Sequence, residues 1–289
     1  MANSKKVSAS ISHKNTSKLG SLMLSILDDS MVNLIEDEIS PIFDQLISIT
    51  KAFENKYIDK NLEKKKISLS KFYKYSLTKE VFKKAIGSLR YQRFILDKNT
   101  EPFLIFSAIA TKITDHSFFN KKDSLEYKVI NKIETTSGYI DKDKSAPYFI
   151  FTLAKEVNKE VIFTNAFAMP IFSTSILMPV ESNYERQNLS TLLQLKSKYN
   201  FHITKPLFPM SYTTLKEELS HRPDFVLDLI TNSFNRKQIF IEVLGSANYE
   251  YLEKKEAITS KIPNYISIDA YKSSINIKNI LEKNIENRI

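Results

Sequence analysis

The chain contains no cysteine, which at once excludes a disulfide framework, a thiolate zinc site and a cysteine nucleophile. It also lacks any run of roughly 18 apolar residues, the length a helix needs to cross a bilayer. The first two dozen residues are basic but have no uninterrupted apolar core of the kind a secretory signal requires. A cytoplasmic protein without a membrane span is therefore expected. Glycine is scarce, at 4 of 289 residues, and is read as codon bias rather than as a structural device. No internal repeat is found.

With 42% hydrophobic and 26% charged residues, the composition is that of a folded globular protein. A length of 289 residues suits two modest domains. The formal net charge is +9, and the excess is uneven: Lys51 to Lys98 holds 14 basic residues against 5 acidic ones. Such a segment fits a phosphate-bearing partner as well as a solvated, lysine-rich helix face.

Residues 1–28 read as a flexible tail, residues 29–178 as a basic region that is first helical and then β-rich, and residues 179–289 as a separate C-terminal domain. From Met31 to Ile49 apolar residues recur at spacings of three and four, which predicts a helix kinked or divided at Pro41. A second basic helical stretch, 69–96, carries Tyr73, Tyr75, Phe82, Tyr91 and Phe94. Aromatics among cations are able to stack bases, but at helical spacing they are read as core. From residue 101, short apolar runs such as "PYFIFTLAKEV" and "EVIFTNAFAMPIF" predict antiparallel strands, with a hairpin at "EVNKEV". No metal-ligand spacing or nucleophile elbow occurs in this part.

The C-terminal hundred residues read as α, β, β, β, α, β, α. Leu189, Leu192, Leu193 and Leu195 face the core from the first helix, and "TLKEELS" forms a helical turn. The fold class is α/β (α+β overall), with a mixed sheet and helices on its faces. Two acids, Asp224 and Glu242, sit inside apolar runs joined by Thr231–Arg236, a connection of hairpin length. If the turn centres on Ser233, these acids lie directly opposite each other. Like charges in that position repel unless a cation lies between them. A hard divalent ion such as Mg²⁺ takes carboxylate oxygens together with substrate phosphate and water.

The run αβββαβ, with Pro223-Asp224 opening one strand and Glu242 on the next, resembles the PD-(D/E)XK nuclease superfamily, the restriction-endonuclease-like fold. The resemblance covers about residues 180–289. It implies a Mg²⁺-dependent nuclease, with Mn²⁺ as an alternative ion, that hydrolyses phosphodiester bonds of DNA. Asp224 and Glu242 are then the metal ligands, and a lysine orients the attacking water. That lysine is absent two residues after the glutamate, where Leu244 stands. The following helix offers Lys255, preferred because it shares a face with Tyr251, and Lys254. Glu185 matches an acid that the family places on its first helix, although Ser182-x-x-Glu185 is also a capping box. Arg222 and Lys205 are the residues placed to meet substrate phosphate. His202 and His221 have no second feature supporting a role. The missing lysine leaves open an alternative, a nuclease fold without activity that binds nucleic acid or serves as an assembly subunit. A homodimer or larger assembly is likewise left open.

Overall fold

The structure is a computed structural model and describes residues 17–60, 65–96, 100–136, 146–213, 218–230, 236–272 and 276–288. Two compact units divide the chain. One comprises Thr16–Asn33 with Ile39–Glu181, and the other Leu34–Glu38 with Ser182–Ile289.

The first unit begins with α1 (Lys18–Asp29), where Ser17 Oγ accepts the Gly20 N–H at 3.2 Å as the N-cap. Leu19, Met23, Leu24, Ile26 and Leu27 are buried on this helix. The expected flexible tail is thereby corrected from residue 17 onward, and residues 1–16 lie outside the described residues. The chain next contributes β1 (Leu34–Ile35) to the other unit and opens α2 (Ile42–Glu54) with Pro41 at the N-cap. The expected kinked helix is therefore a single helix starting after Pro41. Residues before a proline avoid the helical region, and upstream Met31 takes a φ of 57°.

A hairpin follows, β2 (Tyr57–Lys60) and β3 (Lys65–Ser68), then a 3₁₀ turn, β4 (Tyr73–Lys74) and α3 (Lys79–Ile95). The large sheet is built from β5 (Leu104–Ile113), β6 (Ser117–Asn120), β7 (Glu126–Lys128), β8 (Glu134–Thr135), β9 (Tyr148–Val157) and β10 (Glu160–Pro170). Its order is β7-β6-β5-β9-β10-β8, with β4 also paired to β5. At the β9–β10 turn Asn158 and Lys159 have φ of 52° and 66°, the left-handed pair that a two-residue hairpin favours. Of the aromatics expected in the core, Tyr73 is buried and stacks on Phe53 with centroids 4.1 Å apart. Phe82 stacks on Phe106 at 5.4 Å. Tyr75, Tyr91 and Phe94 are instead exposed.

The second unit holds α4 (Asn183–Leu195), β11 (Phe201–Thr204), β12 (Met210–Thr213), β13 (Glu218–His221), β14 (Phe225–Ile230), β15 (Arg236–Val243), α5 (Tyr249–Thr259), β16 (Tyr265–Ile268) and α6 (Ile277–Glu286). Its sheet runs β1-β11-β14-β15-β16, antiparallel except for the β15–β16 pair, which is parallel and joined through α5. The expected αβββαβα order is present, with a two-stranded hairpin, β12/β13, inserted between β11 and β14. Glu218–Ser220, expected in a helical turn, lies in β13, and Thr214–Glu217 lies outside the described residues. Tertiary packing decides this segment: Met210, Tyr212 and Leu219, alternating along the hairpin, pack on a buried cluster of Val226, Phe240 and Ile262. Leu189, Leu192 and Leu195 are buried as expected, and Leu193 is half-buried. Among the described residues, no helix is long and apolar enough to cross a membrane.

Candidate active site

Register brings the two acids together. Phe225 pairs with Ile241 and Val226 with Phe240, so the ladder continues to Asp224 opposite Glu242. Asp224 N–H donates to Ile241 C=O at 2.9 Å. The Val243 N–H donates to Asp224 Oδ2 at 2.7 Å. Asp224 thus ends the ladder with its side chain, as a strand-opening residue after proline can. Glu242 is no edge residue, being 1% exposed between two paired strands.

Glu242 is held from three sides. Tyr265 Oη donates to its Oε2 at 2.6 Å, and His221 Nε2 lies 3.1 Å from the same oxygen and 2.7 Å from Tyr265 Oη. Two acceptors cannot face each other at that range, so His221 carries its proton on Nε2 and donates. On the other side the Lys255 ammonium bonds Oε1. Burial alone pushes the Glu242 carboxyl up, but the His221 bond, the Lys255 charge and the Tyr265 hydroxyl prevail and hold it near 2.

Asp224 behaves in the opposite sense. Burial raises its carboxyl, and the Glu242 charge adds to the rise. Lys205 and the Val243 N–H oppose it without prevailing. Lys205 is fully buried at the end of β11, 2.7 Å from Glu185 Oε2 and 3.5 Å from Asp224 Oδ1. Glu185 sits in the first turn of α4, where Ser182 Oγ accepts its N–H at 3.1 Å. One limb of the capping box is therefore formed while the Glu185 carboxylate bonds Lys205. From α5, Tyr251 stands by the Lys255 ammonium, which lies 5.9 Å from its ring centroid. Its hydroxyl is pushed up to about 12 by burial and by the charges of Glu242, Asp224 and Glu185. A phenol that feels all three carboxylates places them in one electrostatic neighbourhood.

Residues 181–275 match the family described as the restriction endonuclease-like C-terminal domain. The second unit carries a restriction endonuclease-like domain. No curated protein matches the chain at a significant level. The matched span contains Glu185, Lys205, Arg222, Asp224, Glu242, Lys254 and Lys255, so the whole constellation lies inside a domain of nuclease type.

Within the restriction endonuclease-like domain, four residues singled out from sequence come together with Lys205: Asp224, Glu242, Glu185 and Lys255. Lys205, expected to meet substrate phosphate, is 0% exposed and enclosed by two carboxylates, which does not fit a phosphate contact from solvent. Lys254 is exposed, one position from Lys255 on α5. Arg222 is half-buried in the link between β13 and Asp224. His221 and Tyr265 were not identified as partners of Glu242. A signal for Tyr265 existed: β16 pairs it with Phe240, which lies on the Glu242 face of β15. His221 depends on the unforeseen hairpin.

Proposed function

We propose that this protein is a metal-dependent nuclease that hydrolyses phosphodiester bonds of DNA, with Asp224 and Glu242 as the ion's ligands and Lys255 beside the attacking water. The observation that carries the reading is the convergence on one strand pair of Asp224, Glu242 and the Lys255 ammonium.

The donor set suits a hard divalent ion such as Mg²⁺, with Mn²⁺ as an alternative. Both side chains offer carboxylate oxygen. Mg²⁺ commonly takes one or two protein carboxylates and completes its shell with substrate phosphate and water. Burial, with the Glu242 charge beside it, raises the Asp224 carboxyl, a cost that a cation bound at this point would offset. A bound divalent ion supplies charge neutralisation at the phosphoryl oxygens and an acidified water.

The chain's own groups then have distinct tasks. His221 and Tyr265 fix Oε2 of Glu242, and Lys255 meets Oε1. The carboxylate is thereby presented in one orientation and kept ionised. Lys255, in contact with Glu242, takes in this reading the part of the lysine absent at position 244 and orients the water by hydrogen bonding. Lys205 neutralises Glu185 and borders Asp224, which prevents three carboxylates from repelling one another in a buried space.

The full chain is incubated with single-stranded, duplex and branched DNA and with RNA, under Mg²⁺, Mn²⁺ or EDTA. Divalent-dependent cleavage of DNA is expected, with a loss on the order of a thousandfold in Asp224→Asn, as for removal of a group that stabilises a phosphoryl transition state. Equal cleavage by wild type and variant would falsify the assignment.

A further inference from the structure

The outer face of α3 is built in an unusual way. An amphipathic helix turns apolar residues inward and polar ones outward, and α3 buries Ala85, Leu89 and Gln92. At about 100° per residue, Lys83, Lys84, Gly87, Tyr91 and Phe94 fall on one arc of roughly 100° on the opposite side. All five are exposed. Phe94 is 84% exposed and Tyr91 64%, so the two largest side chains of this arc are displayed rather than packed. Phe94 is the most exposed large apolar side chain among the described residues.

Gly87 lies between the lysine pair and the aromatic pair. Glycine weakens a helix interior, and a Cβ added at Gly87 meets no atom within 4 Å, so no packed neighbour demands one. The result is bare backbone over which a flat ligand can approach. Arg90, at the border of the arc, and Arg93, about 80° beyond it, are engaged by Glu156 at 2.9 and 3.6 Å. Lys83 and Lys84 are the cations on the arc itself, and Lys79, also exposed, lies about 40° outside it. The one acid on the arc, Glu80, stands in the first turn, where it favours the helix dipole.

We infer that this face of α3 is a platform for an unpaired nucleic-acid strand, with Lys83 and Lys84 on phosphates and Tyr91 and Phe94 stacked on bases. A pair of outward cations followed along one helix face by a pair of exposed aromatics supplies both elements that single-strand binding uses, charge for the phosphates and ring faces for the bases. A protein partner fits less well, because lysine is depleted from the centres of protein interfaces. The inference rests on the nuclease reading for the class of polyanion. It concerns a surface in the unit that does not contain the acid cluster.

The test is fluorescence anisotropy of a labelled oligo(dT) and a labelled duplex, with the full chain in EDTA so that nothing is cut. Y91A/F94A is expected to weaken oligo(dT) binding roughly tenfold or more, and duplex binding much less. K83A/K84A is expected to weaken both, and to reduce the slope of log affinity against log salt by about 1.4 for the single strand. Asp224→Asn, run in parallel, tests the nuclease reading separately through cleavage. Binding through α3 without cleavage keeps the platform and removes the nuclease; cleavage with unchanged affinity in both α3 variants does the reverse. If the variants fold normally by circular dichroism and lose only a concentration-dependent self-association in sedimentation, the face is a protein interface and the inference is overturned.

Discussion

At Glu242 a carboxylate that is 1% exposed stays ionised because three hydrogen-bond partners outweigh its burial. Its folded value of about 2 lies below the ordinary 4.5. The group therefore stabilises the fold above pH 4.5, and that contribution is lost as pH falls toward 2. The shift corresponds to about 3 kcal/mol. Urea midpoints of the wild type are expected to fall between pH 5 and pH 3, and those of Glu242→Gln to fall less steeply. Asp224 has the other sign, since its raised carboxyl makes the charged form costly as pH rises through that value. Asp224→Asn, which can still accept the Val243 N–H, is expected to melt at a higher temperature than wild type at pH 7 in EDTA. A lower melting temperature would show that the Lys205 contact outweighs burial. Tyr265→Phe removes one donor to a buried anion and is expected to cost about 1.5–3 kcal/mol by urea denaturation.

Among the elements, α5 decides which lysine serves the acids. Lys255 reaches Glu242 while its neighbour Lys254 is exposed. Single-turnover cleavage by Lys255→Ala is expected to fall at least a hundredfold, and Lys254→Ala to stay within a few-fold of wild type. Comparable losses in the two would detach the reaction from this helix. The strand register was legible in the sequence because a short connection and two apolar runs leave one midpoint, even though residues 231–235 lie outside the described residues. The Lys205 position was not legible. It lies 20 and 19 residues from Glu185 and Asp224, separations that correspond to no helix or strand period and are closed only by the sheet. The β12/β13 hairpin was hidden for another reason: the charged run Lys216–Glu218 suits a helix, while the apolar residues that select a strand find their partners on β14, β15 and beyond. α1 was missed because its apolar spacing lies within serine- and lysine-rich sequence that reads as tail.

For the whole molecule, the two units are not consecutive segments. Leu34–Glu38 belongs with residues 182–289, although it lies between α1 and α2 of the other unit. A fragment beginning at Ser182 lacks β1 and leaves the outer edge of β11 without its pairing at Ile203 and Thr204. Open strand edges invite association. That fragment is expected to self-associate, or to unfold at lower urea than the same domain within the full chain. Sedimentation velocity and urea titration compare the two directly, and identical behaviour would mean that β1 is dispensable.

The same excursion sets a timetable. Ribosomes release the chain from its N-terminus, and domains tend to fold as they emerge. Leu34 is synthesised long before Thr204, its partner in the sheet. Residues 39–181 are therefore synthesised while Leu34–Glu38 still lacks its partner strand, which arrives only with Phe201–Thr204. This long-range pair carries a loop-closure cost that the neighbouring hairpins do not, and the restriction endonuclease-like domain completes its sheet only after residues 39–181 have been translated.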